Sequence, residues 1–183
     1  MNKYLYFSIV ICIFSCKNDY SPKPNGYPRI DLPQKTYALF KNNCPYQFQK
    51  AEFCKIHFDY KNNCWFDLEF PDFNGKLHVT YKNLDQDINE LTEETRVLAY
   101  KHAQIAEAIS EQLFINESNN VYGISYTFQG KTATPMQFYI TDSLSHFVRG
   151  ALYFNSAQND SITPIVNFVK RDIYRLIESW EWK

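Results

Sequence analysis

At 183 residues with a formal net charge of −1, the chain can fold as one ordinary domain, and it carries no charge excess that would draw nucleic acid or an anionic lipid surface. Aromatic residues reach 17% against only five glycines, a balance that predicts a core filled largely by rings. No dinucleotide fingerprint, P-loop, HExxH, CxxC pair or GxSxG elbow occurs, so no cofactor is expected and no catalytic class announces itself.

Tyr4 to Ser15 is a nearly uninterrupted apolar run behind a single lysine, Lys3. A membrane-spanning helix needs about 20 apolar residues, so this run suits the apolar region of a signal peptide instead. Ser15 directly precedes Cys16, and a small residue followed by cysteine is the junction cut after the thiol has received diacylglycerol. Ile13-Phe14-Ser15-Cys16 is a loose version of that junction, whereas Cys12 follows bulky Ile11 inside the apolar run. Residues 1–15 are therefore expected to be removed, Cys12 with them, leaving Cys16 as a lipidated N-terminus. A plain secretion signal with an incidental cysteine is the competing reading. Three acyl chains, at about 0.8 kcal/mol per buried CH₂, make a stable anchor, so the first partner expected is a membrane.

Residues 16–35 form a tether and lead-in arm: Lys17 to Lys35 holds four prolines and one glycine, which exclude a helix and favour extended conformations. A single domain is expected over residues 36–183. From Ala51 the pattern alternates, with Cys54, Ile56, Phe58 and Tyr60 on one face and Lys55, His57 and Asp59 on the other. Lys61-Asn62-Asn63 is turn chemistry, after which Cys64, Phe66, Leu68 and Phe70 point inward. A second turn at residues 71–75 leads to Leu77, Val79 and Tyr81, completing a three-stranded antiparallel meander. Asp87 and Glu90 have capping-box spacing. Ile88, Leu91, Leu98, His102, Ile105, Ile109 and Leu113 then predict one long helix ending before Asn116.

Three further strands are expected over residues 122–129, 136–141 and 146–154, the last apolar on both faces and hence central. Thr163-Pro164 predicts an N-cap and first turn of a closing helix whose stripe is Ile165, Val169, Ile173, Leu176 and Trp180. The sum is an α+β domain, a largely antiparallel sheet of about six strands with two packed helices. Its closing strands and tryptophan-ended helix resemble the Mog1/PsbP-like sandwich.

Export implies a disulfide-permissive compartment. Cys54 falls mid-strand on the apolar face, where a free thiol behaves as a small hydrophobe. Cys44 and Cys64 fall at element ends, so they are the expected bridge, with roughly 3 kcal/mol of stabilisation from closing a loop of about twenty residues.

Few residues suggest chemistry. Asp142, Ser143, Ser145 and His146 place an acid, two hydroxyls and an imidazole in one turn, and a hydrolase reading makes either serine the nucleophile and His146 the base. Ordinary hairpin material is the commoner meaning of that composition. His57 and His78 near Asp59 and Asp67 could hold zinc, without diagnostic spacing, so no metal site is expected. His102 reads as a core-edge histidine, and Trp180-Glu181-Trp182 as core packing, the alternative being an exposed indole that would suit a partner surface. Tyr122, Tyr126 and Tyr139 could line an aromatic pocket for a small ligand.

The segments PKPNGYPRIDLP after the lipidation cysteine, CPYQF, CWFDLEFPDFNGKLHVTYK, YKHAQIAEAI, TDSLSHFVRGALYF and the terminal ESWEWK, in that order, resemble the GldD family of gliding motility-associated lipoproteins. The resemblance spans essentially the whole chain after Cys16. Its two recurring cysteines fall on Cys44 and Cys64, with Cys54 additional. It implies a Bacteroidota cell-envelope lipoprotein needed for gliding and for the associated type IX secretion machinery, and it brings no defined catalytic or binding residue. Asp142-Ser143-Leu144 and Asp160-Ser161-Ile162 look like a three-residue O-glycosylation signal of that phylum, marking Ser143 and Ser161. Lys17 after Cys16 gives no inner-membrane retention cue, so an outer-membrane anchor facing the periplasm is expected. The leading reading is a non-enzymatic assembly or stabilising component whose partners are gliding and secretion proteins of the envelope. An envelope hydrolase acting on peptidoglycan or an ester through Asp142, Ser143 and His146, and a small-ligand carrier, are the alternatives.

Overall fold

The computed structural model describes residues 29–59, 64–156, 159 and 161–183. Cys12, Cys16, the tether as far as Pro28, Tyr60, the turn at residues 61–63 and Asp160 lie outside the described residues. In chain order the elements are β1 (Tyr37–Lys41), β2 (Tyr46–Ala51), β3 (Lys55–Phe58), β4 (Phe66–Phe70), β5 (Gly75–Asn83), α1 (Ile88–Tyr100), β6 (Ala108–Asn116), β7 (Val121–Gln129), β8 (Met136–Thr141), β9 (His146–Phe154), α2 (Thr163–Glu178) and β10 (Glu181–Trp182). They form a seven-stranded sheet, β3-β4-β5-β9-β8-β7-β6, and a three-stranded sheet, β1-β2-β10, with every pairing antiparallel. The fold is α+β.

The meander β3-β4-β5 sets Phe66 opposite Val79 and Leu68 opposite Leu77, so the alternating apolar residues share one face. β9 is the middle strand of the large sheet, flanked by β5 and β8. That position explains its sequence, since Val148 and Leu152 point into the main core while Phe147 and Ala151 are buried on the opposite face. Gly150 is required by close approach: a Cβ there would lie 2.2 Å from the Phe138 ring.

The main core lies between the large sheet, the small sheet and α2. Its centre is a stack of rings. Trp180, fully buried, lies 5.0 Å from Phe48 at an interplanar angle of 9° and 4.7 Å from Tyr46, and Phe48 stacks in turn on Phe66. A smaller cluster on the other face of the large sheet joins Ala99 of α1 to Tyr126 and Phe128 of β7. A disulfide joins Cys44, in the β1–β2 turn, to Cys64 ahead of β4, and Cys54 is a buried free thiol.

Several elements differ from the sequence reading. Ten strands form among the described residues rather than about six: β1, β2, β6 and the short β10 are additional to the six expected. The long helix ends at Tyr100, passes through a 3₁₀ turn at Lys101–Gln104, and the chain then becomes β6. Ile105, Ile109 and Leu113 are therefore not a helical stripe. Nine consecutive residues of β6 pair with β7, Ile109 opposite Phe128 and Leu113 opposite Ile124, and this ladder overrides a periodicity that fits either structure. The capping box does not form, since the Asp87 carboxylate takes the Asp85 amide at 3.0 Å and the Lys82 ammonium at 2.6 Å. Thr163 is the first residue of α2 rather than its cap. Asn159 organises the entry by accepting amides of Ser161 and Ile162 on its side chain, while the Thr163 hydroxyl donates to its carbonyl.

Candidate functional site

The β8–β9 turn brings an acid, two hydroxyls and an imidazole together. Asp142 Oδ1 accepts the amides of Leu144, Ser145 and His146 at 3.1, 2.9 and 2.8 Å, and Ser143 sits at φ 68°, the left-handed geometry of a tight turn. Burial pushes the Asp142 carboxyl up, but the amides of His146, Ser145 and Leu144 outweigh it and hold it below the usual carboxylate value. His146 Nδ1 lies 2.8 Å from the Tyr81 hydroxyl, and the ring stacks on Trp182 with centroids 5.1 Å apart and planes at 21°. The Trp182 indole donates to Asn120 O at 3.1 Å. Neither serine hydroxyl is hydrogen-bonded to His146 among the described residues, and Ser143, Leu144 and Ser145 point to solvent. Acid and imidazole are thus committed to different neighbours: Asp142 closes the turn, and His146 ties it to β5 and the C-terminus.

The outer face of β3-β4-β5 carries the histidines considered for zinc. His57 Nε2 lies 3.1 Å from Glu69, His78 Nδ1 lies 2.6 Å from Asp67, and Lys76 reaches both acids, Glu69 at 2.9 Å and Asp67 at 3.4 Å. Carboxylates on the middle strand are flanked by basic groups on both neighbours, as cross-strand pairing favours. Hydrogen bonding from Lys76 is the main influence holding the Glu69 carboxyl below its ordinary value. No group of three or more His, Cys, Asp or Glu side chains suited to a metal ion exists among the described residues.

Tyr126 is buried beneath α1, edge-on to Tyr100 at 6.4 Å, and burial pushes its phenol up to about 12. Tyr139 stacks on Phe147 at 5.4 Å and 13°, while Tyr122 is half-buried further along β7. Two of the three tyrosines considered for a ligand pocket are therefore ring-packed. His102, on the 3₁₀ turn, rests on Phe128 at 5.3 Å, and burial lowers its pKa. Trp180 is core and Trp182 half-buried.

Sequence reasoning missed the most deeply buried charged group. Asp172 of α2 accepts from Lys35 Nζ at 2.5 Å and from the Tyr37 hydroxyl at 2.9 Å. The Lys35 ammonium also donates to Phe168 O at 2.9 Å and sits 3.9 Å above the Phe168 ring. Burial first, and then the bond to Asp172, push the Tyr37 phenol up to about 12. This cluster fastens Lys35 and the start of β1 to the closing helix.

These polar side chains close turns, balance a strand face and lock the segment ahead of β1 to a helix, in an α+β fold with an aromatic core. The chain belongs to the gliding motility lipoprotein GldD family, whose model matches residues 17–182. Membership makes it a lipid-anchored protein of the cell envelope, and no helix among the described residues is long and apolar enough to cross a membrane. No curated protein matches the chain.

Proposed function

We propose that the protein is a non-enzymatic component that assembles or stabilises the gliding apparatus and the associated type IX secretion machinery. It is held at the outer membrane by acylated Cys16 and faces the periplasm. Family membership supports the motility role. The observation that carries the non-enzymatic reading is the β8–β9 turn, where Asp142 is occupied by three backbone amides and His146 by Tyr81 and Trp182. A general base needs a nucleophile within hydrogen-bond reach, and these groups have structural partners in its place. The test is a Ser143→Ala/Ser145→Ala double variant and a separate His146→Gln variant, each scored for gliding and for secretion of a type IX cargo. Both are expected to support both processes. Loss of both processes in folded variants would favour the hydrolase. Cys16→Ser is expected to abolish fatty-acid labelling and envelope attachment.

Ser143, exposed at the tip of its turn, and Ser161, exposed ahead of α2, are the proposed O-glycosylation sites. Glycopeptide mapping is expected to find them modified, and bare serines in protein from the native envelope would contradict the assignment.

A further inference from the structure

β6 is the one long free edge of the large sheet: it runs for nine residues and pairs only with β7 among the described residues. Such edges expose a row of unpaired backbone donors and acceptors and are ordinarily blunted by shortness, lysine, proline or bulges. The other edges follow that rule. β3 has four residues with Lys55 exposed, β1 has five with Lys41 exposed, and β10 has two. β6, AISEQLFIN, has no lysine, arginine or proline, and its register with β7 is unbroken from Ala108 to Asn116. It also presents apolar side chains to water on the face shared with Ile124 and Tyr122, Leu113 being 64% and Ile115 63% exposed. A nine-residue edge with no lysine, proline or bulge, a single acid (Glu111) and two wet aliphatic side chains has the character of an interface.

At the end of β6 lies a cleft of about 490 Å³, with Phe114, Ile115, Val121 and Ile177 among its walls and Glu117 and Glu178 contributing its charges. Glu111, mid-strand, accepts from the Tyr100 hydroxyl at 2.7 Å. Glu117 and Glu178 have no cationic partner among the described residues. The charges that β6 and its cleft themselves carry, Glu111, Glu117 and Glu178, are all acidic, which disfavours a second copy of the same edge and favours a basic occupant. The chain's own residues 17–28 contain three prolines, each lacking the amide a ladder requires.

We propose that β6 is the docking edge for an extended strand of another envelope protein. That strand adds to the sheet by backbone pairing, sets apolar residues at alternate positions against Leu113 and Ile115, and seats a lysine or arginine in the cleft between Glu117 and Glu178. Backbone pairing supplies affinity and the cleft supplies selectivity, the division of labour of strand-addition interfaces. This deepens the assembly reading above and rests on it.

The test uses the full chain in living cells, with Ile109, Leu113 and Ile115 replaced in turn by p-benzoylphenylalanine, irradiation, and mass-spectrometric mapping of each adduct. The expected result is one partner segment whose attachment points shift by about two residues for every two along β6. A Glu117→Lys/Glu178→Lys variant of unchanged melting temperature is expected to lose roughly tenfold or more of the adduct. Adducts to a second copy, to residues 17–28, to lipid, to scattered positions or to nothing would overturn the proposal. A probe at Tyr153, on β9 away from this edge, separates the two readings: partner capture there but not from β6 would leave assembly standing and remove the docking edge.

Discussion

Lys35 Nζ donates to Asp172 Oδ1 at 2.5 Å across 137 positions of sequence, and the Asp172 side chain is only 1% exposed. A carboxylate in that setting depends on its donors, because an uncompensated buried charge is costly. Lys35→Met should therefore destabilise the domain by about 3 kcal/mol in urea unfolding, more than a surface ion pair contributes. Adding Asp172→Leu to Lys35→Met should recover much of the loss, since replacing a whole buried pair by apolar groups is often neutral. A loss under about 0.5 kcal/mol for Lys35→Met, the ceiling for an ordinary surface change, would show that the pair does not hold this segment to α2.

Trp180 closes the ring stack with Tyr46 and Phe48. Trp180→Ala should cost about 3–5 kcal/mol, as large-to-small changes in a packed core do, and Trp180→Phe clearly less. Chemical denaturation of both variants measures the difference, and equal losses would mean the indole does not pack as described.

The three amides on Asp142 predict a specific acid sensitivity. Its folded pKa lies below its unfolded one, so the contribution is present above the unfolded value, about 3.9, and is lost as pH falls through the folded value. Asp142→Ala should lower stability at neutral pH and flatten the stability profile below about pH 4. Unchanged curvature in that window would show that the turn does not depend on the ionised carboxylate.

Cys54 is buried, and burial, followed by the nearby Asp172 charge, pushes its thiol up to about 12. The thiolate is the reactive form, so at about pH 8 the folded domain should resist alkylation at Cys54 and react promptly once unfolded. Reduction of Cys44–Cys64 should lower stability by roughly 3 kcal/mol, the effect of reopening a loop of this size. Fast alkylation of native Cys54 would contradict its buried position.

The strands legible in the sequence were those with one wet and one dry face, such as β4, where Asp67 and Glu69 alternate with Phe66, Leu68 and Phe70. β9 was legible as central because its apolar residues ignore that alternation. β6 is ambiguous in sequence, since Ile105, Ile109 and Leu113 satisfy a four-residue spacing while Ile109, Leu113 and Ile115 also satisfy a two-residue one, and no proline or glycine separates Tyr100 from Ala108. Only the β7 ladder resolves that ambiguity, and it is a non-local contact. β2 carried a readable signal, Tyr46 and Phe48 alternating with Gln47 and Gln49, next to an Asn-Asn turn. The Lys35–Asp172 lock also left a trace: Asp172 falls four residues from Phe168 and from Leu176, on the buried stripe of α2, where an acid needs a partner. The partner's identity was beyond local reasoning. The composition of the Asp142 turn is legible in sequence, but which atoms meet depends on Tyr81 and Trp182, distant in sequence.

The most direct test of the central claim is cross-linking mass spectrometry on intact cell envelopes carrying the native protein at its natural abundance. Reproducible cross-links from this domain to components of the gliding or type IX secretion machinery are expected. Cross-links confined to the lipid anchor region, or to proteins of neither system, would contradict an assembly role.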